Sequence, residues 1–181
     1  WEIVYSDPSK VKHTWTQAVP ERTLMLLERI SIDKSLPIID IGGGDSQLVD
    51  HLLNAGYSNI TVLDISEHAI ERSKTRLGLR AKDVSWIVSN ILEFEPSQHY
   101  AIWIDRATFH FLQSPSEIAK YYSIVEKSVM SNGSLIISTF SNNGPSTCSG
   151  LPVKRYNQFE LTDVFKSQFD RNHTILEDHI T

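Results

Sequence analysis

The 181-residue chain carries a single cysteine, Cys148. One thiol excludes an internal disulfide framework and fits a reducing compartment, so a cytoplasmic setting is expected. No apolar run approaches the ~20 residues that a membrane span needs, and the first residues lack the pattern of a signal peptide. Basic residues are not in excess either. Lys and Arg number 17 against 22 Asp and Glu, a net charge of −5, and they are scattered. That leaves no basic footprint for a polyanion and argues against nucleic acid as a partner. The histidines show no ligand spacing, so no metal is expected. There is no internal repeat, no low-complexity segment and no linker. The expectation is one domain over residues 1–181, acting as a monomer or weak dimer on a small partner.

What is present is an alternation of apolar strands with amphipathic helices, the pattern of an α/β fold with a parallel sheet. Helices are expected from Pro20, after Gly44, from Ser66 to Leu77, and from Ser114, where Ser114-Pro115-Ser116-Glu117 reads as a capping box. A further helix is expected around Glu160 to Phe169. Strands are expected at Ile38–Ile41, Ile60–Asp64, Val84–Val88, Ala101–Asp105, Ser134–Phe140 and finally His173–Ile180. Four of them are almost continuously apolar, as strands buried on both faces are. In such sheets ligands bind beyond the carboxyl ends of the strands.

The first strand ends in Gly42-Gly43-Gly44, a turn that lets backbone come close to a ligand. Gln47 stands where a dinucleotide fingerprint needs its third glycine, and no Lys follows as in a Walker loop. Asp40, two residues before the turn, suits a ligand with an ammonium or sulfonium charge. Asp64, twenty residues after Gly44, is placed to accept both hydroxyls of a ribose. A tight structural turn and a solvated acid at a strand end are the plainer alternatives.

Together these residues resemble a family. Ile38-Ile39-Asp40-Ile41-Gly42-Gly43-Gly44-Asp45-Ser46 looks like motif I of class I S-adenosylmethionine-dependent methyltransferases. Val62-Leu63-Asp64-Ile65-Ser66 and Trp86-Ile87-Val88-Ser89-Asn90-Ile91 resemble the two motifs that follow. Asp105 to Leu112, Asp-Arg-Ala-Thr-Phe-His-Phe-Leu, resembles a bacterial subgroup of small methyltransferases. The resemblance implies a three-layer α/β/α sandwich of Rossmann-like methyltransferase type, with the last of the usual seven strands missing from this chain. It implies S-adenosylmethionine as cofactor and S-adenosylhomocysteine as product. Gly42, Gly43 and Gly44 would pass along the methionine moiety, Asp40 would lie near its amino group, and Asp64 would hold the ribose. Ile65 would pack on the adenine, and Asn90 with the Ile91 backbone would contact it. Trp15, where the subgroup has an aromatic residue, would form part of a lid.

The acceptor site is expected at the ends of the fourth and fifth strands. Asp105 is expected to orient the acceptor or the cofactor's ammonium, or else to pair with Arg106 or cap the next turn. Arg106 is expected to bind an acidic substrate or the methionine carboxylate, or to form that ion pair. On a helical turn Arg106 and His110 would share one face, where the imidazole could act as general base; a His bonded to backbone is the alternative. Cys148, Arg155 and Tyr156 are further candidates to line the pocket. The expected function is methyl transfer to a small molecule. A more distant resemblance to enzymes that modify protein lysines, and a non-catalytic nucleotide-binding module, remain open.

Overall fold

The computed structural model describes Glu2 and residues 17–177. In chain order the elements are α1 (Glu21–Ile30), β1 (Ile38–Ile41), α2 (Leu48–Asn54), β2 (Ile60–Asp64), α3 (Glu67–Leu77), β3 (Val84–Val88), β4 (Tyr100–Arg106), α4 (Pro115–Ser128), β5 (Val129–Ser138), β6 (Thr147–Cys148), β7 (Leu151–Pro152) and α5 (Gln158–Phe165). Strands β1 to β5 form one parallel sheet in the order β3-β2-β1-β4-β5. The order reverses at β1, which puts a crevice beyond its carboxyl end. The Ser114 capping box forms as its residues require, with both the Ser114 and Glu117 side chains closing on backbone.

Two apolar clusters, one on each face of the sheet, make three layers. On one face Ile39, Ile41, Leu63 and Trp103 pack with Tyr121 and Val125 of α4 and Phe165 of α5. On the other face Ile38, Ile60, Val62 and Ile104 pack with Leu27 of α1, Leu48 and Leu52 of α2 and Leu77 of α3. Side chains alternate along a strand. Asp40, Asp64 and Arg106 therefore leave on the α1–α3 face, and Asp105 leaves on the α4–α5 face.

Three expectations need correction. The fourth strand continues one residue further, through Arg106. The fifth starts at Val129, ahead of the Asn132-Gly133 turn, which becomes a bulge with Asn132 at φ 64° and a register shift opposite Tyr100. Residues 173–177 form no strand; residues 178–181 lie outside the described residues. Among the described residues β5 stands at the sheet edge, and the one antiparallel pairing is the short β6–β7 ribbon. Among the described residues no helix is long and apolar enough to cross a membrane.

Candidate active site at the carboxyl edge of the sheet

Gly42, Ser46, Asp64, Ile65, Asn90, Ile91, Arg106 and Thr108 line one continuous depression at the carboxyl ends of the strands. The glycine turn forms its floor. Gly42 has φ +68°, and a Cβ there would collide with the Thr108 hydroxyl. A Cβ on Gly43 would strike the Asp40 carboxylate, and one on Gly44 would lie 2.6 Å from both Ala69 Cβ and Asp64 Oδ2. Each glycine is thus fixed by a different neighbour: the β4 turn, Asp40, and the α3–Asp64 corner.

Asp64 is 7% exposed. Its Oδ2 accepts the Gly44 N–H at 2.9 Å and its Oδ1 accepts the Ser66 N–H at 2.8 Å. Burial raises its pKa, against those two bonds. A carboxylate oxygen can accept more than one bond, so Asp64, which lines the depression, has acceptor capacity for the two hydroxyls of a ribose. Ile65 beside it is half exposed, an apolar surface at the same rim. Asn90 caps the turn at Ile91–Glu93, its Oδ1 accepting the Leu92 N–H at 3.0 Å. Its Nδ2 remains available as a donor.

Asp40 is different. It is 1% exposed, and neither carboxylate oxygen has a hydrogen-bond partner among the described residues. Burial pushes its pKa up to about 6, with Arg106 pulling the other way and Asp105 and Asp64 adding to the rise. A buried carboxylate with no donor is costly. Arg106 shares its face and its region but makes no direct bond to it. The guanidinium donates from Nη2 to the Ser46 hydroxyl, and its Nε is buried without a partner among the described residues.

The three ionisable residues at and just beyond the end of β4, Asp105, Arg106 and His110, therefore separate. Only Arg106 lines the depression. Asp105 is fully buried on the opposite face, its Oδ1 accepting from Thr108 N at 2.8 Å and Phe109 N at 3.1 Å, its Oδ2 from the Tyr121 hydroxyl at 2.6 Å. Tyr121 in turn accepts from Trp103 Nε1 at 3.0 Å. Burial still lifts Asp105 to about 6, against these bonds. Its carboxylate caps the turn and does not face the depression. Nor do adjacent strand residues on opposite faces form the Asp105–Arg106 pair. Ala107 follows at φ 72°, a left-handed conformation that is uncommon for a residue with a Cβ. It breaks the helical turn that would have set Arg106 and His110 on one face. His110 is fully buried in the short turn Phe109–Phe111, packed 5.0 Å from the Phe140 ring, with neither ring nitrogen partnered among the described residues. Burial drops its pKa to about 4. The imidazole is a neutral group behind the wall.

Arg155 holds the loop after β5, donating to the Asn142 and Gly144 carbonyls at 3.1 and 3.2 Å. Tyr156 and Cys148 also line the depression, Tyr156 as a buried ring stacked on Phe109. Trp15 lies outside the described residues. Sequence reasoning missed Ser46, Thr108, Arg72 and Arg76. Thr108 closes over Gly42; the other three brace the glycine turn.

The geometry fits an adenosyl amino acid on this chain's own residues. There is an orphaned acid behind the glycine turn, an acid with spare acceptors at the β2 end, and an apolar side chain and an amide at the β3 side. Comparison with known proteins agrees. Residues 32–179 match a family described as a methyltransferase domain. A malonyl-[acyl-carrier protein] O-methyltransferase of Anoxybacillus flavithermus is 33% identical over 120 residues, 65% of this chain and 43% of that protein. The chain spans about half the length of such relatives. An EEF1A lysine methyltransferase 2 of Danio rerio is 25% identical over 177 residues, 92% of this chain and 69% of the relative. Among solved structures, the glycopeptide N-methyltransferase MtfA complexed with S-adenosyl-L-methionine superposes with a TM-score of 0.60 at 13% identity, over 76% of this chain and 60% of that one. A structure described by the conversion of a disulfide bond into a thioacetal group during echinomycin biosynthesis reaches 0.73 at 19% identity, over 91% and 76%. At these identities the likeness is one of fold, the Rossmann-like methyltransferase fold.

Proposed function

Because the chain belongs to the methyltransferase domain family, we propose that it binds S-adenosylmethionine along the carboxyl edge of β1, β2 and β4 and passes the methyl group to a small-molecule acceptor. The observation that carries this reading is Asp40, a buried carboxylate directly behind the glycine turn whose two oxygens have no hydrogen-bond partner among the described residues. A cationic partner removes the desolvation penalty that the fold otherwise bears there. The cofactor's ammonium is such a partner. Gly42 to Gly44 leave room for its methionine portion, Asp64 accepts the ribose hydroxyls, and Ile65, Asn90 and Ile91 receive the adenine. Trp15 is assigned to the lid by the family resemblance alone.

When bound, S-adenosylmethionine supplies a methyl group already activated on a sulfonium. The chain's task is then to position and to exclude water. Arg106 is the group of the β4 end proposed to touch ligand, through a carboxylate of the cofactor or of the acceptor. Asp105 and His110 are proposed to act from behind it, by shaping the turn that carries Thr108 over Gly42. The net charge of −5 supports a partner other than nucleic acid. The single cysteine supports a reducing, cytoplasmic setting, and a monomer or weak dimer completes the proposal.

Isothermal titration with S-adenosylmethionine and S-adenosylhomocysteine tests the reading. Binding of both is expected, lost in Asp64→Ala, and no binding of either overturns it. A protein-lysine acceptor is the second reading, supported by the Danio rerio relative that aligns with most of this chain. Incubating the protein and cell extract with radiolabelled cofactor separates the two: label in the small-molecule fraction supports the first, label in protein bands the second. A non-catalytic nucleotide-binding module is what remains if cofactor binds and nothing is labelled.

A further inference from the structure

Helix α3 packs behind the glycine turn and holds its outgoing side, while the glycine N–H groups are held by the Leu63 carbonyl and Asp64. Ser73 donates its hydroxyl to the Gly44 carbonyl. Arg72 Nη2 lies 3.3 Å from Asp45 Oδ2, and Arg76 Nη1 lies 3.4 Å from Asp45 Oδ1. Arg76 does most. Its Nη2 donates to the Ser46 carbonyl at 2.7 Å, to Asp50 Oδ2 at 2.8 Å and to Ser73 Oγ at 3.0 Å. Its Nε faces the two Asp50 oxygens at 3.3 and 3.2 Å. This is a fork held by a carboxylate on α2 and pointed at the backbone of the turn. The planar guanidinium suits that work better than an ammonium, because its donors are fixed relative to one another.

The same contact reaches further. Ser46, whose carbonyl Arg76 holds, turns its hydroxyl to Arg106 and accepts the Leu48 N–H at 3.1 Å. A line of hydrogen bonds thus runs Asp50–Arg76–Ser46–Arg106, from α2 through α3 and the glycine turn to the end of β4. Its middle lies beside Asp64, since Gly44 is bonded both to Asp64 and to Ser73. The Arg76 and Asp50 side chains are 28% and 26% exposed.

We propose that Arg76 is a positioning residue for the ligand edge: it fixes the backbone after the glycine turn and, through Ser46, the guanidinium of Arg106. The proposal rests on the reading of this edge as the S-adenosylmethionine site. Arg76 itself does not touch the ligand. It acts by keeping the turn, Asp64 and Arg106 in one geometry, where small misplacements are expensive in affinity.

The test is titration of S-adenosylhomocysteine into the wild type, Arg76→Met, Arg76→Lys, Ser46→Ala and the Arg76→Met/Ser46→Ala double variant, each at a temperature well below its own melting transition. Arg76→Met is expected to weaken binding about tenfold, and Arg76→Lys to recover part of that loss. The double variant is expected to bind about as weakly as the worse single variant, because both lie on one route. A merely structural Arg76 would lower the melting temperature and leave the folded protein's affinity within twofold; that result overturns the proposal. Fully additive losses overturn the route through Ser46. If Arg76→Met does not fold, Asp45→Asn carries the same test, with unchanged affinity counting against the clamp. Absence of binding by the wild type would instead refute the cofactor reading.

Discussion

Asp40 and Asp105 are the same residue type, on neighbouring strands, both almost wholly buried and both lifted to about 6. They differ in one respect. Asp105 has three donors of its own, from the Thr108 and Phe109 amides and the Tyr121 hydroxyl. Asp40 has none among the described residues. Burial and a raised pKa therefore do not by themselves mark a binding group. What separates the two is whether the fold has supplied the partners. A satisfied buried acid is part of the fold's own framework, whereas an orphaned one behind a glycine turn is, on the proposed reading, the partner of a ligand.

The contrast can be broken experimentally. The largest effect is expected for Asp105→Ala, which strands three donors inside the α4–α5 face. A loss of about 3–5 kcal/mol in unfolding free energy is expected by urea titration; a loss below about 1 kcal/mol would put Asp105 outside the framework. Asp40→Asn should do the reverse. Removing an unpaired buried charge should raise stability by about 1–2 kcal/mol at pH 8, while S-adenosylhomocysteine binding weakens by tenfold or more. A stabilised variant with intact affinity would refute the assignment of Asp40 to the ligand.

The pH dependence sharpens the same point. A ligand ammonium prefers the ionised carboxylate, so below about pH 6 a proton must leave Asp40 before the ligand binds. Affinity should be flat above pH 7 and fall on acidification, by up to about tenfold per unit. The fall should vanish in Asp40→Asn. If it persists unchanged there, another group is responsible. The smallest effect is expected at Ala107. Ala107→Gly relieves the left-handed strain but loosens the unfolded chain. A net gain of about 0.5–1 kcal/mol with unaltered cofactor affinity is expected by thermal unfolding.

Much of the architecture was legible because its signals are local. Apolar runs gave the five sheet strands, and the glycine turn gave the first strand-to-helix junction. The Gly44–Asp64 separation brought together two residues that are now seen hydrogen-bonded. The orientation of the β4 end was partly legible. Adjacent strand residues point to opposite faces, so an Asp105–Arg106 pair was excluded once the strand was known to run through Arg106. The left-handed Ala107 was not legible. Nothing in an alanine announces a positive φ; the surrounding packing imposes it. The Arg72 and Arg76 clamp was hidden for a related reason. Two basic residues four apart on a helix read as a solvated stripe, and only the approach of the glycine turn gives them an object. Of the strand expected at His173–Ile180, residues 173–177 form none, because alternation in a short polar stretch supplies no partner to pair with.

Ala107 has one more consequence. By reversing the backbone just after Arg106, it divides the stretch WIDRATFHFL into two parts that answer to different pressures. Arg106 belongs to the cleft, while Phe109 and His110 belong to the packing beneath it. On the proposed reading a change at 106 meets the ligand directly, while a change at 109 or 110 reaches it only through the turn that carries Thr108 over Gly42. A single left-handed residue thus gives the two halves of one short stretch different routes to the same ligand edge.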